Sequence, residues 1–274
     1  MRALLLFAAT AAWGQQAHFH HVHLNSTNPD AAVAFYTDKF ASEKASFAGK
    51  PSVWAQKSWL LFDKVAAAPP HETDSPIWHI GWGAEDMQAT YKKQVESGTQ
   101  FQTPITDISD LANFKGFYYA YVDGPDHALI ELNTAAHHNF GHLHLFSADT
   151  KAAAEWYQKY FGIKARIPQS QEPRMYRNFQ VGPSASFNMD NVNVIIFPAK
   201  YRGHERFRTT RGTVFDHVAF SVDALDPLLD RMKAEGVKVL EAPNQLKGTT
   251  QRAAMVEGPD MIAIEIVEGH TQKP

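Results

Sequence analysis

Two stretches of this chain, AYVDGPDHALIEL at 120–132 and AMVEGPDMIAIEI at 254–266, align without a gap, and that repeat constrains the fold more than any other feature. Each reads as strand, tight turn, strand, with apolar β-rich flanks around a Gly-Pro-Asp centre that breaks the ladder. A second pair matches upstream, HLNSTNPDAAVAFYTDKF with HLFSADTKAAAEWYQKYF. In both, a strand ends at a Ser/Thr/Asp cluster suited to capping a helix. The helix then carries Phe35, Tyr36 and Phe40, or Trp156, Tyr157 and Phe161, spaced as core residues that pack it onto a sheet. Each half divides once more. HIGWGAEDMQATYKKQVESGTQF and HVAFSVDALDPLLDRMKAEGVKV both read as strand, helix, Gly turn, strand, with helix stops at Ser97-Gly98 and Glu235-Gly236. The chain therefore holds four βαβββ units.

Histidine is the other repeated element. HFHHVHL carries His21 and His23, and GHLHLF carries His142 and His144. Downstream of the first lie WHIGW with His79 and GPDHALIEL with Glu131; downstream of the second lie DHVAF with His217 and GPDMIAIEI with Glu265. An inward histidine or carboxylate on a half-buried strand is costly unless paired or metal-bound. One such histidine alone reads as a hydrogen-bonded core residue. A triplet that recurs in the same order and context, His21, His79, Glu131 and then His142, His217, Glu265, reads instead as two metal sites. Three protein ligands leave positions for water and substrate, as in a catalytic rather than a structural site.

Composition narrows the function classes. The 274 residues include 26 basic and 29 acidic side chains, a near-neutral balance that gives no electrostatic case for nucleic acid. The absence of cysteine excludes disulfides, thiolate sites and cysteine nucleophiles. Residues 1–14 read as a signal peptide: Met1-Arg2, the apolar run ALLLFAATAAW, and small residues at Ala12 and Gly14. An exported protein, periplasmic or secreted, is expected, and no later stretch is apolar enough to span a bilayer.

Paired βαβββ modules, an HV-type first strand and a closing GPD turn with an I-E-L or I-E-I strand resemble the vicinal oxygen chelate superfamily. That group includes glyoxalase I, fosfomycin- and bleomycin-resistance proteins, methylmalonyl-CoA epimerase and the extradiol dioxygenases. The resemblance implies an α+β fold with four modules paired into two cupped mixed β-sheet domains, residues 18–134 and 140–269, joined by a linker at 135–139. It places metal ligands on the first strand of each module and the last strand of the second, where the six residues stand. Glyoxalase I-like members add a fourth ligand on the last strand of the first module. Here SWLLFDK and NVIIFPAK offer none at the inward position, with Asp63 as a shifted candidate. Two histidines and a glutamate are the extradiol set, implying Fe(II) or Mn(II), with Zn(II) or Ni(II) as alternatives.

Tyr121, ahead of Glu131, resembles that branch's tyrosine, and Met255 holds the equivalent place in the second half. His23 and His144 share a face with proposed ligands and are expected as acid–base or orienting groups beside Tyr121. His18 and His20 have the other parity and are expected at the surface, while His71 and His204 are loop candidates for acid–base work. The basic run Arg202, His204, Arg206, Arg208 and Arg211 either draws an anionic substrate to the second cup or is a solvated loop. The expected function is a divalent-metal enzyme whose metal chelates vicinal oxygens of a small molecule, by extradiol-type cleavage or lyase/isomerase chemistry. The alternative is a non-catalytic sequestering protein of the bleomycin-resistance type. Expected partners are a small-molecule substrate and neither nucleic acid nor membrane, with a homodimer left open.

Overall fold

The four modules form as the repeats require. In the computed structural model, which describes residues 16–69, 75–170, 172–203, 207–246 and 248–270, module 1 comprises β1 (His18–Ser26), α1 (Pro29–Lys39), β2 (Glu43–Phe47), β3 (Lys50–Ala55) and β4 (Ser58–Lys64). Module 2 comprises β5 (Ile77–Ala84), α2 (Met87–Glu96), β6 (Phe101–Asp107), a short α3 (Ser109–Ala112), β7 (Tyr118–Asp123) and β8 (Leu129–Thr134). Module 3 runs β9 (Phe140–Ser147), α4 (Thr150–Phe161), β10 (Ala165–Arg166), β11 (Arg174–Tyr176), β12 (Phe179–Val181), β13 (Ala185–Met189) and β14 (Val192–Pro198). Module 4 runs β15 (Phe215–Val222), α5 (Leu225–Ala234), β16 (Val239–Gln245), β17 (Arg252–Glu257) and β18 (Ala263–Glu268). The expected leader, His71 and His204 lie outside the described residues.

Local chemistry sets the element ends. Asn28 and Asp149 cap α1 and α4, each accepting from a backbone N–H three residues on, Ala31 at 3.2 Å and Ala152 at 2.9 Å. The helix stops at Gly98 and Gly236 hold: both glycines adopt left-handed backbone, φ +81° and +84°, which other residues reach only at a cost.

How the modules pair departs from the expected domains. One eight-stranded sheet runs β16-β17-β18-β15-β1-β4-β3-β2 and joins modules 1 and 4; the other runs β10-β13-β14-β9-β5-β8-β7-β6 and joins modules 2 and 3. Neither 18–134 nor 140–269 closes a sheet on its own. Connection lengths explain this. Between β8 and β9 only residues 135–139 are free, and five residues reach at most about 18 Å, so β9 stays in the sheet of β8, beside β5. The longer connections, 65–76 after β4 and 199–214 after β14, carry the chain from one sheet to the other.

The helices fasten the two sheets together. Tyr36 of α1 and Phe40, which caps its C-terminal end, pack on Trp82 of the opposite sheet, Phe40 stacking at 4.7 Å between ring centroids. Symmetrically, Phe161 of α4 meets Phe220 at 4.8 Å. These side chains belong to one continuous buried cluster, not to one core per half. Burying a large aromatic stabilises by roughly 1.5–3 kcal/mol, so this shared layer holds the two sheets in place.

The GPD turns contribute a clamp. Asp126 and Asp260 sit in left-handed backbone at φ +54° and +57°. Asp126 accepts from Ser26 Oγ at 2.6 Å, Thr27 Oγ1 at 2.6 Å and Thr27 N at 3.2 Å, at the end of β1. Asp260 accepts from Ala148 N at 3.0 Å, just past β9. Each turn thus ties its own module to the preceding module, which lies in the other sheet.

Candidate metal centres

On each first strand the helix-packed core takes one parity, as at Val22 and Leu24, and the histidines take the other. Their far face is where the two clusters form, and the sheet pairing decides their membership. The expected triads regroup. His79 and Glu131 meet His142, not His21, in the central cup built by modules 2 and 3; His21 meets His217 and Glu265 in the terminal cup built by modules 1 and 4. The physical reason is strand order: β9 lies against β5, and β1 lies against β15.

In the central cup, one ligand atom each from His79, Glu131, His142 and His144 lies within 4.8 Å of the others, and all four residues are buried. His79 Nε2 is 2.9 Å from Glu131 Oε2, and His142 Nε2 is 3.8 Å from Glu131 Oε1. An ion about 2.1 Å from each of two donors sets them about 3.0–3.4 Å apart, so these spacings suit one ion with modest rearrangement. Burial pushes the His142 imidazole down to about 4, against the opposing pull of Glu131, leaving a neutral ring. Its buried Nε2 has no hydrogen-bond partner among the described residues, a cost that a metal would remove. Asn133 Nδ2 donates to Glu131 Oε1 at 3.0 Å and fixes the carboxylate.

Room for His142 comes from Gly81, directly opposite it across the ladder. A Cβ at Gly81 would lie 1.9 Å from His142 Nε2. The sequence shows this glycine in WHIGW, but only the pairing of β5 with β9 shows its use. Tyr121 stands opposite Glu131 in register, its ring 5.1 Å from that of His79. The cluster opens on a cavity of about 410 Å³ walled by Trp78, Phe117, Tyr119, Tyr121 and Phe197. The β11–β12 hairpin closes its far side. Tyr176 Oη donates to Asp110 Oδ1 at 2.6 Å and Arg177 Nη2 to the Asp107 carbonyl at 3.0 Å, so this polar cluster is a strap.

In the terminal cup, His21 Nε2 lies 3.3 Å from His217 Nε2 and 3.5 Å from Glu265 Oε2, with His23 in the same cluster. His217 Nδ1 is 2.7 Å from Asp216 Oδ1. That carboxyl is held down at about 2: burial raises it, but the His217 hydrogen bond and the Gly212 N–H more than offset this. An acceptor-only carboxylate fixes the tautomer, so Nδ1–H donates and Nε2 presents a lone pair toward His21. Asp216 was legible only as the residue before His217. Burial depresses His217 to about 4; His21, fully buried beside three imidazoles, is also depressed. Glu265 is pushed up to about 7 by burial.

Other expectations resolve individually. Asp63 is no ligand here: it lies 3.2 Å from His23 Nε2 and 2.7 Å from Lys50 Nζ, and hydrogen bonding to His23 holds it well below the usual carboxylate range. His20 is not at the surface. A register shift between Phe19 and His21 breaks the strand parity, and His20 is buried with Nδ1 2.8 Å from His21 Nδ1. His18 is only partly covered and pairs with Asp190 at 2.7 Å.

Residues 139–266 match the family model described as the Glyoxalase/Bleomycin resistance protein/Dioxygenase superfamily. This segment, modules 3 and 4 of the chain, belongs to that superfamily. A lactoylglutathione lyase of Arabidopsis thaliana is 25% identical over 147 residues, 53% of this chain and 50% of that protein, so the match spans only half of that relative. A lactoylglutathione lyase of Escherichia coli O157:H7 is 25% identical over 127 residues, 46% of this chain and 90% of that protein. Among solved structures, a glyoxalase I variant of Zea mays superposes with a TM-score of 0.69 at 13% identity, over 93% of this chain and 94% of that one. At that identity the likeness is one of fold, and it covers the paired-sheet architecture described above.

Proposed function

We propose that this chain is a divalent-metal-dependent enzyme acting on a small molecule through two neighbouring oxygens, with His79, Glu131 and His142 as protein ligands in the central cup. The observation that carries this reading is four buried ligand atoms within 4.8 Å of one another, two of them, from Glu131 and His144, on residues that line a walled cavity. A divalent ion there supplies Lewis-acid stabilisation of enolate or catecholate charge on the substrate.

The residues do the rest. Depressed by burial, His142 stays neutral at physiological pH and presents a lone pair. Asn133 holds the Glu131 carboxylate, which lowers the cost of ordering it on ligand binding. His144 and Tyr121 border the cavity within reach of an oxygen chelated at the cluster, placed to hold or pass its proton. The aromatic walls would cover the faces of a bound substrate.

Two reaction types fit this geometry. Proton transfer of the lyase or isomerase kind is favoured by the names of the sequence relatives. Ring-cleaving oxygenation is favoured by the aromatic walls and by the presence, within a cluster that also holds His144, of two histidines and one glutamate, His79, His142 and Glu131, a set suited to non-haem Fe(II). Protein loaded in turn with Fe(II), Mn(II), Zn(II) and Ni(II) is to be assayed for oxygen uptake on catechols and for turnover of α-hydroxy and dicarbonyl compounds. Turnover that His79→Ala and His142→Ala both abolish supports the proposal. No metal-dependent turnover in either assay would favour a sequestering protein.

A further inference from the structure

The donors of the terminal cup open on a cavity of about 550 Å³, whose wall includes His23, His217 and Glu265. Beside it lies another, of about 710 Å³, with none of those donors in its wall; half-buried Phe47 borders both. A bulge in β1 brings His20 to this neighbouring cavity. Phe19 pairs with Phe220 and His21 with Ala219, so His20 is an extra residue in the strand, and a bulge re-aims the side chain of such a residue. His20 Nδ1 then lies 2.8 Å from His21 Nδ1, and the His20 ring stands edge-on to that of Phe47 at 5.8 Å. With Nδ1 engaged, Nε2 on the far side of the ring is turned away from the donor cluster. It is buried and has no hydrogen-bond partner among the described residues, a cost that a ligand atom would remove.

Charge in the rest of this wall is cancelled pair by pair. Among the described residues Arg252 is its only Lys or Arg. Its guanidinium donates to both oxygens of Asp226, at 3.1 and 2.8 Å, and to Glu268 at 3.3 Å. His270 Nε2 lies 2.7 Å from Asp223 Oδ1. Burial depresses His20 to about 4, so its ring is neutral at physiological pH. The wall thus holds no unpaired cation to draw an anion. What it does hold is hydrogen-bonding capacity in both directions. The carboxylates of Asp223 and Glu268 accept, Arg252 donates, and Gln251 and Thr250 do both. Phe47 and Trp59 form an apolar flank.

We infer that this cavity binds a neutral polyhydroxylated ligand, of the mono- or disaccharide class, with a hydroxyl on His20 Nε2 and the ring's C–H face toward Phe47 and Trp59. Which nitrogen of the His20–His21 pair carries the shared proton decides whether Nε2 donates or accepts. A hydroxyl satisfies it either way, whereas a carboxylate satisfies only a protonated Nε2. A sugar ring turns apolar C–H groups to its faces and hydroxyls to its rim, which matches a wall of paired charges, amide and hydroxyl beside two aromatics. The volume lies within the roughly 300–1,000 Å³ usual for small-molecule sites.

Calorimetric titration with D-glucose, D-galactose, D-mannose and maltose tests this, beside the charged analogues D-glucuronate and D-glucosamine, each with and without EDTA. At least one neutral sugar is expected to bind once per chain, more tightly than either charged analogue and unaffected by EDTA. His20→Phe, which removes the ring nitrogens, weakens it by about tenfold, as loss of one hydrogen bond to a buried group predicts. Thr250→Trp, at an exposed position in the wall, fills the cavity and abolishes binding while the unfolding curve stays in place. Should His20→Phe disturb folding through its contact with His21, Thr250→Trp carries the test alone. Binding that EDTA abolishes is chelation by a metal cluster and overturns the site. So does binding left unchanged by Thr250→Trp, or no binding of any sugar. Tighter binding of glucuronate or glucosamine overturns the ligand class. None of these readouts uses turnover, so the site stands or falls apart from the activity proposed above.

Discussion

The two cups hold the same donors in the same register, and almost everything around those donors differs. Glu131 and Glu265 sit opposite Gly81 and Ala219, and His142 and His21 sit opposite the same pair. Yet the residue before the second histidine is Trp78 in one cup and Asp216 in the other. The residue facing the carboxylate is Tyr121 or Met255, and the one two beyond it is Asn133 or Val267. Donors must meet a narrow spacing to share an ion, whereas their neighbours decide only how the donors are oriented and what else fits. A duplicated fold can thus keep one set of donors twice while changing what surrounds them.

The largest test of this comparison is at Gly81. A Cβ there would lie 1.9 Å from His142 Nε2, so Gly81→Ala must swing the imidazole away from Glu131. We expect the central cup to lose its ion at any practical concentration, while the terminal cup, which already carries Ala219 opposite His21, keeps its own. Metal content after gel filtration measures this. Two ions retained in Gly81→Ala would show that His142 is dispensable.

Next in size is Asp216→Asn. The substitution keeps the shape but removes the charge that fixes the His217 tautomer, and the loss of such a partner costs about 10–100-fold in metal affinity. Only the terminal cup should change, because Trp78 fills that place in the central cup. Competition with a chelator in His142→Ala and His217→Ala backgrounds separates the two sites.

Much of this was legible in the sequence, for identifiable reasons. The repeats fixed four modules, and the Tyr36, Phe161 and Gly98 readings followed from helix spacing and turn chemistry, which are local. Which module pairs with which was not local. The four first strands are alike, so His79 could as well have met His21 as His142. The discriminating signal was the five-residue link after Thr134, too short to leave its sheet. His20 was misplaced because alternation presumes an unbroken ladder, and the shift at Phe19 breaks it. The use of Gly81 and of Asp216 depends on what lies across a strand, which no spacing along the chain reveals.

A smaller effect, in pH, also separates the cups. Burial lifts the Glu265 carboxyl to about 7, so below that pH a proton and a metal compete for it. In the His142→Ala protein, Co(II) affinity should fall by about tenfold per pH unit below 7. His217, depressed to about 4, adds nothing until much lower pH. In the metal-free protein the signs are opposite for the two groups. Glu265, raised on folding, contributes stability that is complete below about 4.5 and lost as pH rises through about 7. His142 and His217, lowered on folding, contribute stability present above 6.5 and lost as pH falls toward about 4. Calorimetric titration in two buffers of different ionisation heat counts the released proton; none released at pH 6 would remove Glu265 from the donor set.

The smallest expected effect lies in the two GPD turns, which share a sequence and a strained backbone but not a set of partners. Burial raises Asp126, yet the hydroxyls of Ser26 and Thr27 more than offset it and leave the carboxyl low; Asp260 is instead raised, because burial outweighs its contacts to Ser147 and Ala148. The carboxylate that gains more from its contacts should cost more to remove. Replacing a side chain that caps backbone N–H groups typically costs about 0.5–2 kcal/mol. Asp126→Ala should fall near the top of that range and Asp260→Ala near the bottom, with both ions retained in each variant. Denaturant unfolding at constant slope measures the pair. Equal losses would mean that the left-handed turn, common to both, sets the cost, and that the clamp between β1 and the GPD turn adds nothing of its own.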